Sequence, residues 1–88
     1  MATNEIPPEA LQVAARFYKA VDSIVAKGRI RGLATIAREW GASRFALSWS
    51  KHHPEQKRIK VEYLYYIARD YGVSLDWLFF GSGKMFKQ

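Results

Sequence analysis

Basic side chains are concentrated in one third of this sequence, and the chemistry open to them is the binding of anions. Between residues 27 and 60 there are nine lysines and arginines but only two acidic residues, Glu39 and Glu55. The rest of the chain carries five basic and six acidic residues, so this stretch accounts for the net charge of +6. Localised positive charge is typical of a surface that docks a polyanion. Because the same stretch holds a predicted helix, a glycine and a second helix, double-stranded DNA is the expected partner.

Other residue types that do chemistry in proteins are present without the spacing that this chemistry needs. His52 and His53 are adjacent in a predicted loop, with no nearby carboxylate or cysteine set to complete a zinc site. The carboxylates are scattered over predicted helix surfaces without a nucleophile–base arrangement. The segment Gly81–Lys84 lacks the strand and the spacing of a phosphate-binding loop. We therefore expect no enzymatic activity, no metal or other cofactor, and no small-molecule substrate.

Length and composition limit the classes of protein to which this chain can belong. With 88 residues, of which 49% are hydrophobic and 25% charged, the chain has the make-up of one ordinary globular domain. It has no cysteine, which excludes a disulfide scaffold and cysteine-ligated zinc. No apolar run approaches the roughly 20 residues of a membrane span, and residues 1–8 do not resemble a secretion signal. We expect a cytoplasmic protein without membrane association.

The pattern of apolar residues and helix breakers predicts an all-α fold of five helices. Residues 1–8 are expected to form a flexible arm, residues 9–83 the folded domain and residues 84–88 a C-terminal tail. Ser43 and Ser74 are candidate N-caps of the third and fifth helices. The predicted helices run over residues 9–26, 33–40, from Ser43 to about 51, from about 60 to 71, and 75–80.

Helical spacing also predicts which faces of the longer helices are buried. In the first helix the apolar stripe consists of Ala14, Phe17, Val21, Ile24 and Val25. In the fourth helix it consists of Val61, Leu64, Ile67, Ala68 and Tyr71.

Three residues have the types and separations of a helix-turn-helix. Ala37 is small enough to let two helices cross closely, Gly41 can adopt the left-handed backbone of the turn, and Leu47 can anchor the second helix. These residue types are common, so the triple is a weak signal by itself.

Longer blocks around the triple resemble the lambda-repressor-like (Cro/CI, XRE) DNA-binding family. They are Gly28–Arg31, Leu33–Gly41 and Tyr71–Gly81, and the last matches the family's G-V-S-x-D-W-L-x-x-G ending. The tail Gly83–Lys87 is similar to phage-type and Bacteroidetes-type members that finish with G-x-M-F-K. The resemblance implies a five-helix lambda-repressor-like bundle whose third helix enters the DNA major groove.

Two orientations of the third helix remain open. The family register directs Arg44, Phe45, Ser48 and Trp49 toward DNA, where arginine can read guanine, serine a base edge and the aromatics thymine methyl groups. Hydrophobic periodicity alone would instead bury Phe45 and Trp49 and expose the serines. The expected contacts to the DNA backbone are Arg29, Arg31, Ser43, Lys51, His52, Lys57, Arg58 and Lys60.

A second aromatic cluster follows at the C-terminal end. It allows two interpretations: packing of these residues over the end of the bundle, or a homodimer interface, since exposed apolar patches in small domains usually mark partners. The residues of this predicted interface are Trp77, Phe79, Phe80, Met85 and Phe86.

The sequence thus supports two hypotheses about function. The first is a small transcriptional regulator of phage or mobile-element type, a repressor that binds a two-fold operator as a dimer. The second is a helix-turn-helix fold used as a protein-interaction module, such as an adaptor, antitoxin or virion component, through the face that carries Phe45 and Trp49.

Overall fold

The computed structural model describes residues 6–87, and these residues form five α-helices without an extended strand. The all-α prediction is confirmed, and the predicted helix boundaries are shifted by about one residue at most. The helices are α1 (Pro8–Ala26), α2 (Leu33–Trp40), α3 (Arg44–His52), α4 (Val61–Tyr71) and α5 (Leu75–Phe80).

The core is built around α1, which contacts α3, α4 and α5. The predicted stripe of α1 is confirmed, because Ala14, Phe17, Val21 and Ile24 are buried, while Val25 at its end is partly buried. Each fully buried large apolar side chain contributes about 1.5–3 kcal/mol relative to an exposed one. From the other helices and the α4–α5 turn, the fully buried partners are Ile36, Leu47, Ile67, Val73 and Leu78.

The stripe predicted for α4 is correct except at its first residue. Leu64, Ile67 and Tyr71 are buried and Ala68 is partly buried, but Val61 is 70% exposed. Val61 lies in the first turn of the helix and lines a surface groove with Phe79 and Phe80. Its prediction as a core residue was wrong because periodicity identifies the face of a helix but not how far along that face other elements cover it.

The described residues nearest to each end of the chain belong to the bundle or are hydrogen-bonded to it. Residues 1–5 of the predicted arm and Gln88 of the predicted tail lie outside the described part, and Pro8 is already the first residue of α1. In the tail, Met85 accepts a backbone hydrogen bond from Ser74 at 2.8 Å, and Lys87 donates one to Gly72 at 2.9 Å. The segment from Met85 to Lys87 therefore runs beside the α4–α5 turn.

A tight turn joins α2 to α3. Gly41 ends α2 in the left-handed conformation with φ of 65°, and Ala42 donates to the Ala37 carbonyl at 2.8 Å. The predicted cap at Ser43 is confirmed, because its hydroxyl oxygen accepts from the Ala46 amide at 3.2 Å. The glycine termination satisfies carbonyl groups at the end of α2 and the serine cap satisfies an N–H group at the start of α3, so both helices have defined ends at this turn.

A buried hydrogen bond fixes α3 against α1. The Tyr18 hydroxyl donates to the Leu47 carbonyl at 2.8 Å, and both residues are buried. No described helix has both the length and the apolar character needed to cross a membrane.

Candidate nucleic-acid interface

The burial pattern of α3 decides between its two predicted orientations. Leu47 is completely buried and Ser50 is 4% exposed, whereas Phe45 is 76% exposed and Trp49 50% exposed. The Ser50 hydroxyl donates to the Lys57 carbonyl at 3.3 Å, which satisfies this buried polar group. Rotating α3 to bury the aromatic side chains would break that bond and the bond from Tyr18. The orientation inferred from hydrophobic periodicity is therefore wrong, and Phe45 and Trp49 lie on the outer face of α3.

The outer face of α3 forms one wall of an open groove whose other wall is the start of α2. Arg44, Phe45, Ser48 and Lys51 contribute from α3, and Arg31 and Leu33 from the segment around the beginning of α2. The Arg44 guanidinium carbon lies 5.2 Å from the centre of the Phe45 ring. α2 begins at Leu33, and its N-cap Gly32 has no side chain to accept from the first backbone N–H groups of the helix.

A second groove lies on the other side of the same helix face. It is lined by Phe45, Ser48, Trp49, His52, His53 and Lys57. The Trp49 and His53 rings stack with their centres 3.9 Å apart and their planes 29° from parallel. The hydrogen bond from the Ser50 hydroxyl to the Lys57 carbonyl holds the chain after α3 against this groove. The two grooves together bring eight of the predicted site residues onto one surface. They are the four predicted base readers and the predicted backbone contacts Arg31, Lys51, His52 and Lys57.

The other predicted backbone contacts are positioned less uniformly. Arg29 stacks over the Tyr71 ring at 5.0 Å, away from the two grooves, and Arg58 is exposed beyond the end of α3. Ser43 and Lys60 share a small groove with the C-terminal end of α2. The Ser43 oxygen serves as a helix cap, while its hydroxyl proton is still able to donate to a phosphate oxygen.

Lys51 already has an acidic neighbour. Its ammonium nitrogen lies 3.2 Å from a carboxylate oxygen of Asp22, and the two side chains are 35% and 64% exposed. An exposed pair of this kind contributes at most about 1 kcal/mol and weakens in salt. A phosphate can therefore compete with Asp22 for Lys51 at low energetic cost.

Two residues of this region were not found from the sequence. Tyr18 lies in the buried stripe of α1, and burial raises the pKa of its hydroxyl group above the ordinary value. A buried tyrosine needs a hydrogen-bond partner, but the identity of that partner, 29 positions away, is not contained in local spacing. The sequence marks His53 only as a neighbour of His52, and its stacking on Trp49 depends on the path of the chain after α3.

The C-terminal aromatic cluster divides into two groups. Phe80 is 77% exposed and Phe79 40% exposed, as a surface contact requires. Trp77, Met85 and Phe86 are instead partly buried against the core, and the Lys27 ammonium lies 3.7 Å from the centre of the Phe86 ring. Phe79 and Phe80 line an apolar groove of 360 Å³ together with Val13 and Val61.

These features define a small all-α protein with one basic surface that carries exposed aromatic rings. Comparisons with protein-family models, with curated proteins and with solved structures find no match for this chain. Among residues 6–87, no cluster of three or more histidine, cysteine or acidic residues is placed to hold a metal ion.

Proposed function

We propose that this protein binds double-stranded DNA in a sequence-specific manner, with α2 and α3 acting as a helix-turn-helix of the lambda-repressor-like kind. The observation that carries the proposal is the outer face of α3, where Arg44, Phe45, Ser48 and Trp49 are accessible and basic side chains lie on both sides. The DNA major groove is about 12 Å wide, which is sufficient to admit one helix with its side chains.

Each of the four predicted base readers on the outer face of α3 has a chemical role in this proposal. Arg44 donates two hydrogen bonds to the paired acceptors of guanine, and Ser48 contacts a base edge. Phe45 and Trp49 make apolar contacts with thymine methyl groups. Lys51, Lys57 and Arg31 neutralise phosphates, and the uncapped start of α2 offers backbone N–H groups to another phosphate.

The proposal extends to a transcriptional repressor of phage or mobile-element type that acts as a homodimer. Two copies bound to a two-fold operator would exclude RNA polymerase from a neighbouring promoter. The exposed Phe79 and Phe80 side chains support self-association, because burial of exposed aromatic area is a main source of interface stability. This role places the protein in the compartment that holds the DNA, which is the cytoplasm of a bacterial host.

The second candidate is a protein-interaction module that uses the same face of α3. The exposure of Phe45 and Trp49 favours it, because aromatic side chains are enriched in protein interfaces. The basic side chains around the two rings favour DNA, since charged residues are depleted at the centre of protein interfaces.

Selection of binding sites from random duplex DNA, followed by a salt titration on the selected sequence, tests the proposal. With about four to six phosphate contacts, a plot of log K against log salt concentration should have a slope of about −4 to −5 per domain. A protein that enriches no sequence, and whose retention on duplex DNA is indifferent to salt, would contradict DNA binding and favour the protein partner.

A further inference from the structure

Three aromatic rings and a lysine are gathered in the groove beside the outer face of α3. Phe45 and Trp49 are one helical turn apart, and His53 stacks on one side of the Trp49 ring at 3.9 Å. Lys57 contributes the ammonium group at the edge of the groove, and the groove has a volume of 480 Å³. His53 covers one side of the indole, so the exposed half of Trp49 leaves ring surface available to a ligand.

We propose that this groove binds an unpaired nucleobase of a single-stranded nucleic acid by stacking it against Trp49 and Phe45. Exposed aromatic rings beside positive charge are the arrangement by which proteins hold single strands, with bases on the rings and phosphates on the cations. In a continuous duplex both faces of each base are covered by its neighbours. Stacking on this groove therefore requires a base that has left the helical stack.

Phe45 and Trp49 are close enough along α3 for one base to reach both rings. The two residues are four positions apart, which corresponds to a rise of about 6 Å along the helix. His53 stacks on the Trp49 ring at 3.9 Å and restricts rotation of the indole, so that the ring is already oriented when the base arrives.

The charge around the groove favours a nucleic acid over an apolar peptide. Lys57 and His52 line the groove itself, and Arg44 stands beside the Phe45 ring. Within the described residues, the acidic partner of α3 is Asp22, which contacts Lys51 in the neighbouring groove. A base that is linked to phosphates can stack on the rings and pair with the cations at the same time. An apolar side chain can contact only the rings.

The test compares two single strands of equal charge by fluorescence anisotropy. One is a short oligothymidine, and the other is an abasic deoxyribose-phosphate chain of the same length. The wild-type protein should bind oligothymidine about tenfold more tightly, since stacking of one base gives about 1–3 kcal/mol. Oligouridine compared with oligodeoxyuridine isolates the 2′-hydroxyl group: equal affinity means that the groove accepts RNA as well as DNA, and weaker binding of oligouridine restricts it to DNA.

Matched variants locate the effect. Trp49→Leu keeps apolar bulk but removes the ring, and it should abolish the preference for oligothymidine while leaving binding of the abasic chain unchanged. Phe45→Leu should reduce the preference in the same direction. Tyr65→Leu is the control, because Tyr65 is an aromatic residue of comparable exposure (59%) on α4 and should leave the preference intact.

Equal affinity of the wild-type protein for the two chains, or absence of binding to both, overturns the proposal and leaves the aromatic face to a protein partner. A preference that survives Trp49→Leu overturns it as well, provided that circular dichroism shows a folded variant. Duplex DNA measured in parallel separates this outcome from the proposed function. If the protein binds duplex DNA but does not prefer oligothymidine to the abasic chain, only the stacking groove is refuted. If it prefers oligothymidine but does not bind duplex DNA, only duplex recognition is refuted.

Discussion

Arg44 stands at the first position of α3, where its guanidinium group is exposed beside the Phe45 ring. This contact limits the directions in which the arginine side chain extends, and the planar guanidinium is suited to paired acceptors. If the protein binds DNA as proposed, Arg44 is the side chain best placed to discriminate one base from another.

Replacing Arg44 by alanine should therefore remove most of the preference for one guanine in each half-site. A bidentate contact to guanine gives about 1–3 kcal/mol of discrimination. The melting temperature should change little because the side chain lies outside the core. Arg44→Lys should restore general affinity but only part of the specificity, since an ammonium group cannot make the same paired contact. Identical selected sites for the wild type and Arg44→Ala would contradict this role.

Tyr71 gives a second residue-scale prediction, which concerns stability at high pH. Burial, together with the 2.8 Å hydrogen bond to the Glu39 carboxylate, raises the pKa of Tyr71 from 10.0 to about 12. The folded state therefore favours the neutral phenol. Its contribution to stability is complete below pH 10 and is lost as the pH rises toward 12.

The variant Tyr71→Phe tests this dependence, because it keeps the buried ring and removes the ionisable group. At pH 9 it should be less stable than the wild type by about 1 kcal/mol, the typical contribution of one hydrogen bond. The difference should shrink as the pH approaches 12. Urea unfolding at both pH values measures it, and a constant difference over this range would show that ionisation of Tyr71 is not coupled to folding.

At the scale of the elements, the orientation of α3 depends on contacts from three directions. Ser43 caps its start, Leu47 anchors it in the core, and Tyr18 holds the Leu47 carbonyl from α1. The turn at Gly41 connects it to α2 with a left-handed residue. The position of any ligand bound by α3 would therefore depend on Tyr18, Gly41, Ser43 and Leu47.

Tyr18→Phe should consequently weaken both the fold and the site. Loss of the buried hydrogen bond should destabilise the protein by about 1 kcal/mol, which lowers the melting temperature of an 88-residue domain by about 4–8 °C. Under the proposed role of α3 in reading bases, specific DNA affinity should fall further than non-specific affinity, because that reading would depend on the angle of α3. Tyr65→Phe, which removes an exposed hydroxyl, is the matched control and should leave both quantities unchanged.

Local sequence signals predicted the elements well because five of the helix boundaries are marked by a residue with a specific backbone or capping role. Gly41, Gly72 and Gly81 end three helices with positive φ, and Ser43 and Ser74 cap two. The orientation of α3 needed more than periodicity, because Ser50 is buried through a bond to the Lys57 carbonyl. The exposure of Val61 and the stack of His53 on Trp49 depend on contacts between elements, which local patterns do not encode.

At the scale of the whole molecule, the exposed large hydrophobic residues of the described chain belong to two regions. Phe45 and Trp49 are on α3, where basic side chains accompany them. The others, Val61, Tyr65, Leu75, Phe79 and Phe80, are on α4 and α5. If both regions are functional, one binds the nucleic acid and the other a second copy of the chain, and substitutions should affect them separately.

Phe80 and Phe45 provide a matched pair for this separation, because they are 77% and 76% exposed. Phe80 is a better choice than removal of the tail, since residues 85–87 are hydrogen-bonded to the α4–α5 turn and their loss would disturb the fold. Phe80→Asp places a charge in the apolar groove beside Val61, so it should shift the protein toward monomer in sedimentation and weaken binding to a full operator more than to a half-site. Phe45→Asp should leave the oligomeric state unchanged and weaken binding to both DNAs, because it places a carboxylate on the face that is proposed to meet phosphates. A wild-type protein that sediments as a monomer at high micromolar concentration, with and without DNA, would contradict the homodimer and leave the α4–α5 region to another partner.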